Sequence, residues 1–409
     1  YPLWKRSFID PANGITAVPS SDEGCGDLVP EIGITGTPVI DPSSNTLYVV
    51  ANTKEKGTYY QRLHAINVGN GADKFGGPVV IQASGGGQSF NPFLESQRPG
   101  LLLQNGDVYI GWASHCDYGP YTGWIMAYDA KSLQQLGAIA TTTNYQLGGV
   151  WQAGSGVAGD GAGNVFVATG NGTFDADQSG SDYGDSILRL TLNGGQLGVQ
   201  DYFAPDDQAY LDQYDIDLGS GGVLVLPKQP GSHPNLLVAS GKEGTVYLAD
   251  RTNLGHYSSS SNNNLQTLYF AVGGMFGMPA YWNSNVYFWG SYDFIKAFRL
   301  TNGSLSTSAT SEGPDQAGYP GATPSISSNS KTNGIAWAIQ SDAYGSNGPA
   351  VLHAYDATNL ANELYSSSQN PARDSPGAAV KFAVPTIANG KVYVGTEHQV
   401  SVYGLLGQR

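Results

Sequence analysis

The chain has 409 residues, of which 13% are charged, 56 are Gly and 25 are Tyr, and its formal net charge is −14. Its 19 basic residues are scattered and offer no Lys/Arg stripe of the kind a phosphate backbone needs, which excludes a nucleic-acid partner from the expectations. No apolar run approaches the roughly 18 residues of a membrane helix, and no charged-then-apolar leader precedes Tyr1, so the sequence reads as soluble, already processed and free of membrane insertion.

The Gly, Ser, Thr and Asn that crowd between the apolar runs are turn formers, and Gly and Asn supply the left-handed conformations that tight connections need. The apolar runs alternate with period two and are rich in β-branched and aromatic residues, so they read as strands; no segment offers a sustained 3.6-residue stripe. One pattern recurs seven times: a short strand led by Gly or Pro, a Val-Tyr-Val type strand, a loop, and a strand like Leu-x-Ala-Tyr-Asp. The first copy runs from Gly36-Thr-Pro-Val39 through Leu47-Tyr-Val-Val50 to Leu63-His-Ala-Ile-Asn67. The second has Val108-Tyr-Ile-Gly-Trp112 and Ile125-Met-Ala-Tyr-Asp129, the third Val165-Phe-Val-Ala168 and Ile187-Leu-Arg-Leu190, the fourth Leu236-Leu-Val-Ala239 and Val246-Tyr-Leu-Ala-Asp250. The last three carry Val286-Tyr-Phe-Trp289 with Ile295-Lys-Ala-Phe298, Ile335-Ala-Trp337 with Leu352-His-Ala-Tyr-Asp356, and Val392-Tyr-Val-Gly395 with Val400-Ser-Val-Tyr403.

The 409 residues spread over seven copies give about 58 each, which suits a four-stranded blade with a long loop and exceeds a helical repeat. The expectation is therefore an all-β, single-domain (1–409), seven-bladed β-propeller of four-stranded antiparallel blades. The seventh copy supplies three strands, and residues 3–8 read as a lone strand. Pairing of the two is expected to close the ring and remove an open sheet edge. Part of an eight-bladed parent is the alternative.

Two cysteines, Cys25 and Cys116, lie in loops rich in Gly, Asp and Pro. Both could be free thiols, but an even pair in a chain of secreted character favours one disulfide and an extracellular or periplasmic location. Asn171-Gly-Thr and Asn302-Gly-Ser are glycosylation sequons if the chain passes through a eukaryotic secretory pathway.

Four segments go beyond a generic blade. The stretch from Ser114-His-Cys-Asp117 to Tyr128-Asp129, Val167-Ala-Thr-Gly-Asn-Gly-Thr-Phe174, Asp215-Ile-Asp217, and Gly241-Lys-Glu-Gly-Thr-Val-Tyr-Leu-Ala-Asp-Arg-Thr252 follow in order along successive copies. They resemble the repeat of pyrroloquinoline quinone (PQQ) dependent alcohol dehydrogenases and the wider PQQ-like propellers, over nearly the whole chain. The resemblance implies a quinoprotein dehydrogenase oxidising alcohols or sugars. Asp117, Asn171 and Asp217 would be its calcium ligands, Asp217 its catalytic carboxylate, and Lys242 a residue beside the cofactor. In the implied mechanism calcium polarises the quinone carbonyl while Asp217 accepts the alcohol proton. Two departures bear on PQQ itself: Cys25 is followed by Gly26 where the family often has an adjacent cysteine pair, and Trp151 stands several residues before the place of the family's stacking Trp.

Loops entering the first strand of each blade gather ligands in propellers. Glu31, Arg98, Trp151, Asp217, Tyr319 and Lys381 occupy such loops, and together they would make a polar pocket with an aromatic platform, suited to a sugar or a quinone. Glu31, Arg98, Trp151 and Lys242 are accordingly the cofactor-binding candidates. Asp175-Ala-Asp-Gln-Ser-Gly180 matches the start of an EF-hand-type calcium loop, although its twelfth position is Ser186; a solvated turn is the plainer reading. His64 and His353 share one place in two copies, which marks a repeat-structural position, whereas His115 beside Cys116 is a candidate proton-transfer group. Two further functions stay open: a cofactor-free propeller that binds or cleaves extracellular glycan, and a structural or adhesive extracellular protein.

Overall fold

The computed structural model describes residues 2–405. Among the described residues, seven antiparallel sheets of three to five strands follow one another along the chain, one for each expected blade of a seven-bladed β-propeller. Each blade is built on one of the foreseen strand pairs. Thr46–Glu55 with Thr58–Asn67 forms the centre of blade 1, Asp107–Ser114 with Trp124–Asp129 that of blade 2, and Asn164–Ala168 with Ile187–Asn193 that of blade 3. Leu236–Ser240 with Val246–Asp250, Asn285–Phe288 with Asp293–Thr301, Thr332–Gln340 with Val351–Asp356, and Lys391–Gly395 with Val400–Tyr403 do the same for blades 4 to 7. In blade 2 the first strand is broken into Glu95–Ser96 and Leu102–Gln104, both paired with Asp107–Ser114. Pro99 and Gly100 lie in the break, where Pro removes a ladder donor, and so does Arg98.

The chain divides into two compact units, the first holding blades 1 to 3 and the second blades 4 to 7. Strand alternation explains the packing inside each. On the Trp124–Asp129 strand, Trp124 and Met126 face Val50 and Leu63 of blade 1. Ile125 and Ala127, on the opposite face, meet Val165, Val167 and Leu188 of blade 3. A strand buried on both faces has no polar side, which is why this copy reads as a continuous apolar run. In the second unit Val238 and Leu248 pack on Phe288 and Phe298, Trp289 and Ile295 on Ala336 and Tyr355, and Ile339 and Leu352 on Val392 and Val394. Each fully buried Val, Leu, Ile, Phe or Met among them contributes about 1.5–3 kcal/mol of transfer free energy.

The repeat residues have identifiable work. The Tyr of the second strand reaches the following blade: Tyr48 donates its hydroxyl to the Ala130 carbonyl at 2.8 Å and Tyr287 to the Ala357 carbonyl at 2.7 Å. The Asp that ends the third strand caps the turn after it. Asp129 Oδ1 accepts from the backbone N–H groups of Lys131 and Ser132, Asp250 Oδ1 from Thr252, and Asp356 Oδ1 from Thr358, which is how Asp stabilises tight connections. The Ser132 hydroxyl holds the Asp129 carboxyl below its usual range, and the Thr358 hydroxyl does so for Asp356.

Closure is where the structure departs from expectation. Residues 3–8 form no strand, and among the described residues the seventh sheet has three strands. The segment is bound instead to blade 1. Trp4 donates its indole N–H to the Val68 carbonyl at 2.7 Å, Arg6 pairs with Asp73 at 2.6 Å, and the Phe8 ring lies 4.2 Å from that of His64. These side-chain anchors hold the segment in place of the expected strand pairing. Gly71 leaves room for them, since a Cβ there would stand 2.6 Å from the Trp4 ring.

Candidate functional site

In the first unit Arg98 and His115 lie beside the disulfide. Cys25 and Cys116 are bonded, closing a separation of 91 residues. Cys116 and Asp117 both take left-handed backbone conformations (φ 52° and 56°), uncommon for residues other than Gly, Asn or Asp. The bond ties the N-terminal segment to this turn. It borders a small, half-open pocket lined by Glu23, Asp27, Ser96, Arg98, Ser114 and His115. Arg98, freed from the ladder by the break in blade 2, pairs with Asp27 at 3.5 Å and lies over the Trp151 ring at 5.7 Å. His115 is buried, and burial together with the Arg98 charge lowers its pKa to about 4 against the opposing pull of Asp27. It is therefore neutral at neutral pH. Burial and the neighbouring Asp22 charge raise Glu23 to about 7.

Trp151 is half-buried, with Tyr121 edge-on at 6.3 Å. Gly149 must be Gly here, since a Cβ would stand 2.9 Å from the indole nitrogen and 3.0 Å from Ala113. Asp117 is exposed and accepts the Tyr121 hydroxyl at 2.5 Å. Asn171 is buried and donates its amide to Asp215 at 2.9 Å, a poor setting for a glycan; the Asn302 sequon lies on an exposed turn. Glu31 is exposed on the two-residue strand Glu31–Ile32, which pairs with Val18–Pro19. The calcium-loop candidate caps itself: Asp175 Oδ1 accepts the Asp182 N–H at 2.8 Å, and its carbonyl accepts from Gln178 and Gly180.

In the second unit Asp217 and Lys242 meet. Lys242 Nζ stands 2.5 Å from Asp217 Oδ2, and the Asp217 side chain is 8% exposed. The backbone repeats the contact, since Lys242 N–H donates to the Asp217 carbonyl at 2.9 Å. Gly241 permits the approach, because a Cβ there would lie 2.2 Å from that carbonyl. Tyr319 and Lys381 also come together, through Tyr344: its ring lies 5.8 Å from that of Tyr319 and 5.3 Å from the Lys381 ammonium.

No protein-family model matches the chain, and no curated protein matches it by sequence. Solved structures do. BamB from Moraxella catarrhalis superposes with a TM-score of 0.54 at 14% identity, over 93% of this chain and 85% of that one. Sqt1 of Saccharomyces cerevisiae does so with a TM-score of 0.54 at 11% identity, over 91% and 82%. A europium-containing methanol dehydrogenase aligns with 96% of this chain and 80% of its own at 13% identity, but its TM-score of 0.41 carries no argument. The likeness is one of fold.

The donors at hand can be tested against calcium and PQQ. Asp117, Asn171 and Asp217 are oxygen donors, the kind calcium takes, yet Asp217 already holds an ammonium and Asp117 a phenol. Neither wall of the quinone slot takes the family's form. Cys25 is bonded to Cys116 and not to a neighbour, and Trp151 is engaged by Arg98 and Tyr121. The residues do not fit PQQ, and no step is derived through it. Sequence reasoning passed over Glu23 and Asp27, which share the pocket with Arg98 and His115. Their closeness to Cys25 in the chain was the available signal.

Proposed function

We propose that the chain is an extracellular or periplasmic propeller that binds a small hydroxylated molecule, an alcohol or a sugar, at Asp217 and Lys242. The observation that carries this reading is their 2.5 Å ion pair, with the carboxylate nearly out of water. A carboxylate so placed accepts a hydroxyl proton's hydrogen bond more strongly than it would in solvent, and the ammonium beside it donates to a neighbouring hydroxyl oxygen. A vicinal diol presents both groups at once. The disulfide supports an oxidising compartment, and among the described residues no helix is long and apolar enough to cross a membrane.

A second reading, quinone-dependent oxidation, is what the sequence resemblance implies for Asp217 and Lys242, against the misfit of both walls of the slot. Calorimetric titration of alcohols, polyols and aldoses into the wild type and Asp217→Asn tests the first. The expected result is saturable binding that the variant weakens at least tenfold while its unfolding midpoint holds. Binding indifferent to Asp217→Asn overturns it. Addition of PQQ and calcium, read by absorption and by dye-linked oxidation, tests the second; cofactor uptake with Asp217-dependent dye reduction would replace the binding reading.

A further inference from the structure

Among the described residues, Asp315, His353 and Glu363 bring one ligand atom each within 4.8 Å of one another. Asp315 comes from Ser311–Ala317 of blade 5, His353 from Val351–Asp356 and Glu363 from Glu363–Ser366 of blade 6, all within the second unit. His353 Nδ1 stands 2.7 Å from Glu363 Oε1 and 3.8 Å from Asp315 Oδ2. Tyr355 completes the surround: its hydroxyl donates to Asp315 Oδ2 at 2.8 Å and lies 3.1 Å from the same Nδ1.

Gln340 points its amide nitrogen at Asp342 and at the Gln316 carbonyl, so its Oε1 faces His353 Nε2 at 3.1 Å. Nε2 must then carry a proton and donate. In a neutral imidazole that leaves Nδ1 as a bare lone pair, and the lone pair faces a carboxylate oxygen 2.7 Å away. Two acceptors cannot hold that distance, so a proton or a metal ion belongs between Nδ1 and the carboxylate. The repeat does not impose this. His64, at the equivalent place in blade 1, has a single carboxylate near it, Asp73 at 4.0 Å, and burial lowers its pKa to about 4.

We propose that Asp315, His353 and Glu363 form a site for a zinc-like divalent cation, separate from Asp217 and Lys242. Imidazole plus carboxylate is a donor set that zinc accepts, with Zn–N and Zn–O distances of about 2.0–2.2 Å. Ligand atoms around one such ion stand roughly 3.3 Å apart, and the observed 2.7 and 3.8 Å bracket that value. The bond from Nε2 to an amide oxygen is the outer contact that fixes a ligating histidine's tautomer and orientation. His353 is 5% exposed, whereas Asp315 and Glu363 are 36% and 23% exposed, which opens a path of entry. Binding forms bonds from the metal to Nδ1 and the two carboxylates and expels any proton held there to buffer.

The test is calorimetric titration of Zn²⁺ into metal-stripped protein in two buffers of different ionisation enthalpy. One zinc per chain is expected, with any proton displaced from the ligands read from the difference between the two buffers. Glu363→Gln should weaken binding at least tenfold and His353→Gln should abolish it. Gln340→Ala, which touches no ligand atom, should weaken it about 10- to 100-fold. Calcium should not compete, because imidazole suits it poorly. A zinc-dependent rise in the wild-type melting temperature is expected, and it requires no variant to fold. Failure to bind zinc stoichiometrically, or equal binding by His353→Gln, overturns the proposal and leaves a protonated histidine between its carboxylates.

Discussion

Replacing Glu95 by Gln should change how stability depends on pH. Glu95 lies in the broken first strand of blade 2, opposite Ser114, and is fully buried. Neither carboxyl oxygen has a hydrogen-bond partner. Burial is the main cause that pushes its pKa well above the ordinary 4.5; the Trp124 indole and the Thr122 N–H nearby pull the other way without reaching good hydrogen-bond geometry. The folded chain therefore keeps the proton where the unfolded chain has released it. Stability is full below the unfolded value and falls as pH rises, by about 1.4 kcal/mol per unit, until the folded carboxyl ionises. Gln removes that slope. Denaturant unfolding of both proteins at pH 5 and pH 6 should show the variant gaining on the wild type over that interval, by up to about 1.2 kcal/mol, the limit for a carboxyl that stays protonated in the folded chain. If the two stability curves run parallel, Glu95 is not a neutral buried acid and the reasoning fails.

Two further outcomes concern the scaffold. Replacing both Cys25 and Cys116 by Ser releases a 91-residue separation, and the loop-entropy relation puts the loss near 4–5 kcal/mol; an unchanged denaturation midpoint would refute the account. Gly334→Ala places a Cβ 2.6 Å from two atoms of the Trp282 ring, and that ring is held by its bond to the Ser330 carbonyl at 2.8 Å. Overpacking should cost about 1–3 kcal/mol, and a second change, Trp282→Phe, should recover part of it; additive losses would show that the ring is not the obstacle.

The blades were legible because their signal is local. Short β-branched and aromatic runs bounded by turn formers, such as Val108-Tyr-Ile-Gly-Trp112, report a strand from one segment alone. The cysteine pairing was legible by count, since two cysteines allow one bond. The lone strand expected over residues 3–8 was not legible in the same way: Trp4, Arg6 and Phe8 each engage blade 1 through their side chains. Of the candidate residues, sequence named Asp217 and Lys242 through the resemblance and could not show that they touch, because Gly241 sets that approach. Asp315 and Glu363 carried no motif. Their meeting with His353 depends on how blade 5 lies against blade 6 and on the ladder irregularity between Ala354 and Tyr355, neither of which is written in either segment.

The tyrosine contacts from Tyr48 to Ala130 and from Tyr287 to Ala357 also bear on how the molecule opens. A repeat array behaves as a row of elements whose stability is the sum of intrinsic and nearest-neighbour terms. A buried hydroxyl shared between two blades raises the neighbour term, since opening either one leaves a donor or an acceptor without its partner. Blades 1 and 2, and blades 5 and 6, should then lose protection against hydrogen exchange as blocks, whereas turn amides capped by Asp129 and Asp356 exchange through smaller, independent fluctuations.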